Sequence, residues 1–275
     1  STVRAHLSSR RVEAPRVVRD REILGEIRTV HADNLGVYGA RKVHAQLRRQ
    51  GHSVARCTVE RLMKADGLQG IARLKTRKTT RSEGAETPRP ADRVNRQFTA
   101  AAPNALWVAD LTYIRTHSGW VYAAFVLDVF SRMVVGWQVS TTMHTDLALD
   151  ALNMGLWARS RAGHDVAGLI HHSDRGVQYR AIRYTERLAE AGIEPSVGSV
   201  GDSYDNALAE TINGLYKAEV IHRRSWPTRE SVELATLEWV SWFNHHRLFG
   251  PIGYIPPAEA EANFYRQLAG QAMAA

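Results

Sequence analysis

Three carboxylates in this chain have the types and spacing that phosphoryl-transfer chemistry requires. Asp174 follows an apolar run in the stretch HHSDRGVQYR, Glu210 lies in GDSYDNALAETINGLYK with 35 residues between the two, and Asp110 sits upstream in LWVADLTYI. Alternation around Asp110 reads as a strand, with Leu106, Val108, Thr112 and Ile114 sharing its face. A carboxylate there is costly unless a cation or hydrogen bonds offset its desolvation. If the three acids converge, about three negative charges meet, which only bound cations or shifted protonation make tolerable. All-oxygen ligation selects Mg2+ or Mn2+. Two such ions roughly 4 Å apart activate an attacking oxygen and stabilise a leaving one; Asp110 is the candidate bridge, Asp174 the ligand on the nucleophile's side and Glu210 the ligand on the other. One pair of acids 35 residues apart is weak evidence alone, and the elements that carry the acids decide its weight.

Those elements begin near Asn104. Three β-branched and aromatic runs, Leu106 to Thr116, Trp120 to Phe130 and Arg132 to Ser140, are joined by short turns and predict an antiparallel meander. A helix over 144–161, a strand from Val166 to His172, a helix from Tyr179 to Ala191 and a strand from Ile193 to Val197 follow. Three strands and then alternating helix and strand describe a mixed α/β sheet with helices on its faces, in the order of the ribonuclease H fold. On a wheel of roughly 100° per residue, Asn206, Glu210, Asn213 and Lys217 fall within about 60° of one another, opposite Leu208, Ile212 and Leu215. Glu210 therefore lies on a polar stripe of a helix with a core face.

The front of the chain carries different chemistry. Residues 1–100 hold 22 lysines and arginines against 10 acids, whereas the remainder holds 14 against 18. Such a basic excess points to a polyanionic partner. Residues 15 to 32 predict an amphipathic helix. Val43 and Leu47, then Val59, Leu62 and Met63, predict two short helices around Gly51, a helix-turn-helix unit. Its second helix, about Ala55 to Lys64, would enter the DNA major groove with Arg56, Arg61 and Lys64, while Arg41 and Lys42 lie on the preceding helix. From Arg73 to Pro103 periodicity gives way to Lys, Arg, Thr, Pro and Ala, the composition of a basic linker in which Lys75, Arg77 and Lys78 can follow a phosphate backbone. The domains expected are 1–72, a helix-turn-helix region; 73–103, the linker; 104–224, the catalytic core; and 225–275, a helix anchored by Trp239, Trp242 and Phe243 followed by a Pro/Gly-rich arm that packs on its own domain or on a partner subunit.

Other classes are excluded or unsupported. The single cysteine, Cys57, allows no internal disulfide and reads as an inert small core residue. No apolar run approaches the roughly 18 residues of a membrane span, and the arginine-rich start contains no secretory core. A cytoplasmic, nucleoid-associated protein is expected.

WVADLTYI, HSDRGVQY and DNALAETINGLYK, in that order, resemble the DDE transposases of bacterial insertion sequences, specifically the OrfB-type family with a retroviral-integrase-like core. YGARKVHAQLRRQG is similar to the family's amino-terminal helix-turn-helix, and EWVSWFNHHRLFGPIGYIPPAE to its tail. The resemblance implies that Asp110, Asp174 and Glu210 are the catalytic triad and that Lys217 contacts DNA near the cut. It places His172, Gln178, Tyr179, Asp205 and Asn206 where metal ligands are oriented or the DNA end is bound. It further implies water-driven cleavage at element ends, attack by the exposed 3′-hydroxyl on a second phosphodiester, double-stranded DNA ends and target as partners, and assembly as a homodimer or larger oligomer. The family commonly fuses its active protein by frameshift to an upstream helix-turn-helix product; with Ser1 rather than Met at the start, such a segment or partner is expected. The tail departs from the family's pattern at His245, His246 and Gly250-Pro251. Two competing readings are a catalytically silent DNA-binding regulator of transposition and a ribonuclease H-like nuclease without strand transfer.

Overall fold

The computed structural model describes residues 13–72, 99–174, 178–179, 181–197 and 207–274, and the chain divides into two compact units, Ser1–Ala72 and Arg73–Ala275. Lys75, Arg77, Lys78, Asp205 and Asn206 lie outside the described residues.

Among its described residues the first unit contains three helices, α1 (Pro15–Asp33), α2 (Ala40–Arg49) and α3 (Arg56–Ala65). Pro15 opens α1, where its missing N–H costs no helical bond. Ile23, Ile27 and Val30 from α1 form a buried core with Val43 and Leu47 from α2, Val59, Leu62 and Met63 from α3, and Tyr38. Gly51, at φ 89°, turns the chain after α2 in the left-handed region that side chains disfavour. The end of the unit folds back on its middle: Ile71 N–H donates to the Val37 carbonyl at 3.1 Å, and a Cβ on Gly70 would stand 2.3 Å from Gly39 N. Cys57 corrects the expectation of a core thiol, because it is exposed. It lies about 200° around α3 from Val59, off the buried stripe.

The second unit is built on a five-stranded sheet of order β3-β2-β1-β4-β5, comprising β1 (Leu106–Thr116), β2 (Gly119–Asp128), β3 (Val134–Ser140), β4 (Ile170–Ser173) and β5 (Glu194–Val197). β1 pairs antiparallel with β2 and parallel with β4; β2–β3 is antiparallel and β4–β5 parallel. Helices α4 (Thr145–Arg161), α5 (Ile182–Glu190), α6 (Ala207–Glu219), α7 (Arg229–His245) and α8 (Pro257–Ala274) complete the mixed α/β fold, in the element order of a ribonuclease H-like core. Both faces of the sheet centre are covered, so Leu106 to Ala109 read as a continuous buried run rather than an alternating one. On one face Trp107, Ala109, Ala124 and Val126 pack with Leu147, Ala148, Leu152 and Leu156 of α4. α4 presses close because Gly136 and Gly155 leave room: a Cβ on Gly136 would stand 2.0 Å from the Ala151 carbonyl oxygen, and one on Gly155 would stand 3.2 Å from the Trp107 ring. On the other face Phe125 packs edge-on to Tyr216 of α6 and Trp239 of α7, at 5.0 and 6.0 Å between centroids.

β4 is shorter than the run Val166 to His172 because Gly168, at φ 75°, turns the chain and donates its N–H to Gly192 O at 3.2 Å. The Pro/Gly-rich arm holds one 3-10 turn, Gly250–Ile252, before α8, a helix the apolar pattern did not announce. α8 packs on the core through Arg159 of α4, which is buried and donates to both Glu261 oxygens, the longer bond being 2.7 Å. No described helix is long and apolar enough to cross a membrane.

Candidate active site

Register places the first two acids. Ala109 pairs with Ser173 at the last rung of the parallel β1–β4 ladder, so Asp110 and Asp174 are the next residues out, where strands about 4.8 Å apart end side by side. The carboxyl ends of parallel strands are where open α/β sheets form ligand crevices. Among the described residues β1 continues without β4 for seven more residues, Asp110 to Thr116.

Asp110 is half-buried and held at both oxygens. Oδ1 accepts the Leu111 N–H at 2.8 Å, and Oδ2 accepts from Asn213 Nδ2 of α6, also at 2.8 Å. Burial, then the Asp174 charge and a smaller push from Glu210, together raise the Asp110 carboxyl to about 7 against the opposing effect of these two hydrogen bonds. The three acids thus share one electrostatic neighbourhood. Glu210 is exposed in the first turn of α6, and Asp174 is exposed at the end of β4. Among the described residues no three His, Cys, Asp or Glu side chains are grouped closely enough to hold a metal ion. The donor set still fits a hard divalent cation, because all the donors are carboxylate oxygens and the innermost one is raised by burial and by the charges of the other two.

Asn213 was visible on the helical wheel as part of the polar stripe, but its role was not. It is buried rather than solvated, because Asp110 supplies the acceptor its amide needs.

The described residues that flank the acids, His172, Gln178 and Tyr179, are interior. His172 is buried on the same face as Asp110, with Nδ1 3.0 Å from Ser196 Oγ across the β4–β5 pair. Its neighbour His171 faces the opposite side, hydrogen-bonded to the Tyr184 hydroxyl at 3.1 Å, and burial depresses it to about 4, so it is neutral at pH 7. Gln178 is buried and donates to the Met143 carbonyl at 3.2 Å. Tyr179 is buried against Tyr184, at 5.4 Å between ring centroids. Burial holds the Tyr179 hydroxyl protonated far above its ordinary range, and the charges of Asp110 and Asp174 add to that. This hydroxyl has no hydrogen-bond partner among the described residues. Tyr179→Phe is therefore expected to keep or raise the melting temperature, since deleting an unpaired buried hydroxyl relieves a desolvation cost of about 1–3 kcal/mol. Thermal unfolding checks it, and a clear drop would mean that the hydroxyl has a partner in the folded chain.

Lys217 is half-buried on α6, with Nζ 4.5 Å from the Tyr113 ring centroid. In the first unit, Arg41, Arg56, Arg61 and Lys64 are exposed, and Lys42 lies over the Tyr38 ring at 5.1 Å. Two of these cations hold acids: Arg56 pairs with Glu60 at 3.1 Å and Arg61 with Asp20 at 2.8 Å. Exposed pairs of this kind are worth roughly 0–1 kcal/mol, so a phosphate can replace the carboxylate at little cost.

Residues 100–203 and 191–257 match two models of an integrase core domain, and residues 18–76 match a model of an HTH-like domain. The chain is 55% identical, over 97% of its length and 96% of the relative's, to a protein of Mycobacterium tuberculosis assigned as the transposase of insertion sequence element IS986/IS6110. It is 53% identical, over 94% of its length and 86% of the relative's, to the transposase for insertion sequence element IS629 of Shigella sonnei. The catalytic core domain of HTLV-2 integrase, solved with magnesium, aligns with 59% of this chain and 99% of its own at 18% identity and a TM-score of 0.45, a likeness too distant to carry chemistry.

Proposed function

The chain belongs to the DNA transposases of bacterial insertion sequences, and on that premise we propose that Asp110, Asp174 and Glu210 form the site that cleaves element ends and joins the freed 3′-hydroxyl to target DNA. The observation that supports this most is the position of Asp110: one residue beyond the last rung of the parallel ladder, held by Asn213 from the helix that carries Glu210, and raised toward neutrality by burial and by the other two acids. A bound cation would take the proton's place there, offsetting both the desolvation of the carboxylate and the repulsion among the acids.

We assign Asp110, Asp174 and Glu210 as the residues that would hold Mg2+ or Mn2+, two ions per site. When bound, such ions lower the pKa of the attacking water or 3′-hydroxyl and offset charge on the phosphate. The chain's own residues orient the reaction. Asn213 and the Leu111 N–H fix the Asp110 carboxylate, the His172–Ser196 pair supports the end of β4, and Lys217 holds a phosphate beside the cut. Both displacements occur in line without a protein-bound intermediate, so one site serves cleavage and joining. Double-stranded element ends and target DNA are the partners, on an assembly of two or more chains. An upstream helix-turn-helix segment or partner remains part of this reading.

We further assign residues 1–72 to end recognition, with Arg41, Lys42, Arg56, Arg61 and Lys64 on phosphates and bases, 73–103 to a basic connection bearing Lys75, Arg77 and Lys78, 104–224 to catalysis and 225–275 to its support. Removing residues 1–72 is expected to weaken specific end binding by ~100-fold or more, and full-chain binding is expected to fall steeply with salt as phosphate counterions are released. Fluorescence anisotropy at several salt concentrations checks both. Undiminished end binding by the remaining unit would remove the assignment.

The decisive test uses a labelled duplex bearing candidate element ends, with Mg2+, Mn2+ or EDTA, and compares the wild-type chain with Glu210→Gln. Metal-dependent cleavage and joined strands, both lost in the variant, are expected. Cleavage without joining would make the protein a nuclease. Specific binding without any product would make it a regulator.

A further inference from the structure

We propose that Tyr113 and Trp120, with Arg115 and Lys217, form a platform on which an unpaired nucleobase at the DNA end stacks. The inference rests on the transposase reading and adds to it a subsite outside the acids. Tyr113 and Trp120 are 48% and 47% exposed, and their rings meet edge to face at 5.5 Å. Single exposed aromatics are unremarkable. Here each ring also carries a cation: the Arg115 guanidinium lies 5.2 Å from the Trp120 ring centroid, and Lys217 Nζ lies 4.5 Å from that of Tyr113.

Register explains the cluster. Arg115 pairs with Trp120 and Tyr113 with Tyr122 across the antiparallel β1–β2 ladder, so Tyr113, Arg115 and Trp120 share one face near the tip of the hairpin. That tip is held: His117 N–H donates to the Trp226 carbonyl at 2.9 Å, and Ser118 N–H to the Pro227 carbonyl at 3.2 Å. The adjoining stretch exposes Arg223 and Arg224, which extend the positive surface.

Tyr113 lies on the face opposite Asp110, yet Lys217 comes from the helix of Glu210. Among the described residues β1 has no strand partner on the β4 side beyond Ala109, and that edge joins the two faces. Aromatic rings flanked by cations are the general means of holding single-stranded bases without reading their sequence. The platform therefore takes a base separated from its partner when the duplex end opens at the acids.

The test uses the full chain and an element-end duplex with 2-aminopurine placed singly at each of the last few nucleotides of either strand. Stacking is expected to quench emission at one position, or two adjacent ones. Trp120→Ala and Tyr113→Ala remove the quenching and slow cleavage of a paired end roughly tenfold, Trp120→Phe keeps most of both, and a mismatched end restores cleavage to the alanine variants. Unchanged melting temperatures show that these half-exposed changes leave the fold intact. Quenching that survives in both alanine variants, or wild-type cleavage with no quenching at any position, overturns the platform. So does an alanine variant that alters particle mass in light scattering but leaves emission unchanged, the behaviour of a protein contact. Quenching that depends on the platform without cleavage by the wild-type chain would instead defeat the transposase reading alone.

Discussion

Asp110→Asn is expected to reduce cleavage and joining roughly 10³-fold or more while end binding stays within about twofold, and to make the metal-free chain more stable at pH 8. The stability arm follows from the proton that Asp110 holds. In the folded chain its carboxyl releases that proton near 7, whereas a free aspartate does so near 3.8. Between these values the folded state binds more protons than the unfolded one, so wild-type stability falls as pH rises through the window, and the loss is complete above pH 7. Asparagine has no proton to lose. The gap between variant and wild type should therefore open between about pH 4 and 7 and reach a few kcal/mol, or roughly 5–10 °C in melting temperature. Mg2+ or Mn2+ should narrow it by stabilising the wild type. Melting curves across pH, with EDTA or metal, test this. A gap independent of pH would mean that the acids do not share a field, and loss of DNA binding equal to the loss of cleavage would deny Asp110 a purely catalytic role.

The second large effect concerns the far end of α6. Glu219, in its last turn, is buried and accepts from Arg247 Nε at 3.1 Å and from Trp239 Nε1 at 3.1 Å. The Arg247 guanidinium, itself buried, lies among the rings of Trp242, Phe243 and Phe249 at 5.9, 5.3 and 5.4 Å. Arg247→Ala strands a carboxylate in an aromatic interior. Such a loss costs about 3–5 kcal/mol, which predicts a fall of roughly 10 °C or more in the melting temperature of this unit. The double variant Arg247→Leu, Glu219→Leu should recover much of that, because it leaves no uncompensated charge. A double variant no better than the single one would show that packing, not the ion pair, holds α6 to α7.

Some of this was legible in the sequence because short-range pattern decided it. β1 runs from Leu106 to Thr116 as its β-branched and aromatic run announces, and the motif around Asp174 fixes where β4 ends. The wheel placed Glu210 and Asn213 on one polar stripe of α6 but gave Asn213 no role; only Asp110, 103 residues away, makes burial of that amide favourable. α8 was missed for the same kind of reason. Its sequence is alanine-rich, and its hold comes from residues distant along the chain: Phe264 against Phe130 at 5.1 Å, Tyr265 stacked on His164 at 4.3 Å, and Glu261 against Arg159. For His172, Gln178 and Tyr179 the resemblance implied either orienting metal ligands or binding the DNA end, and the motif could not show that all three are buried. Their partners Ser196, Met143 and Tyr184 lie on other elements, and they draw these side chains inward.

The exposed position of Cys57 has a practical consequence. The chain has one thiol, and it projects from the first turn of α3, the helix assigned to the major groove. A thiol-reactive fluorophore would therefore attach at one defined point without any substitution. Energy transfer from that point to a dye on the element end would time the arrival of α3 on DNA separately from the cut, in the unaltered protein.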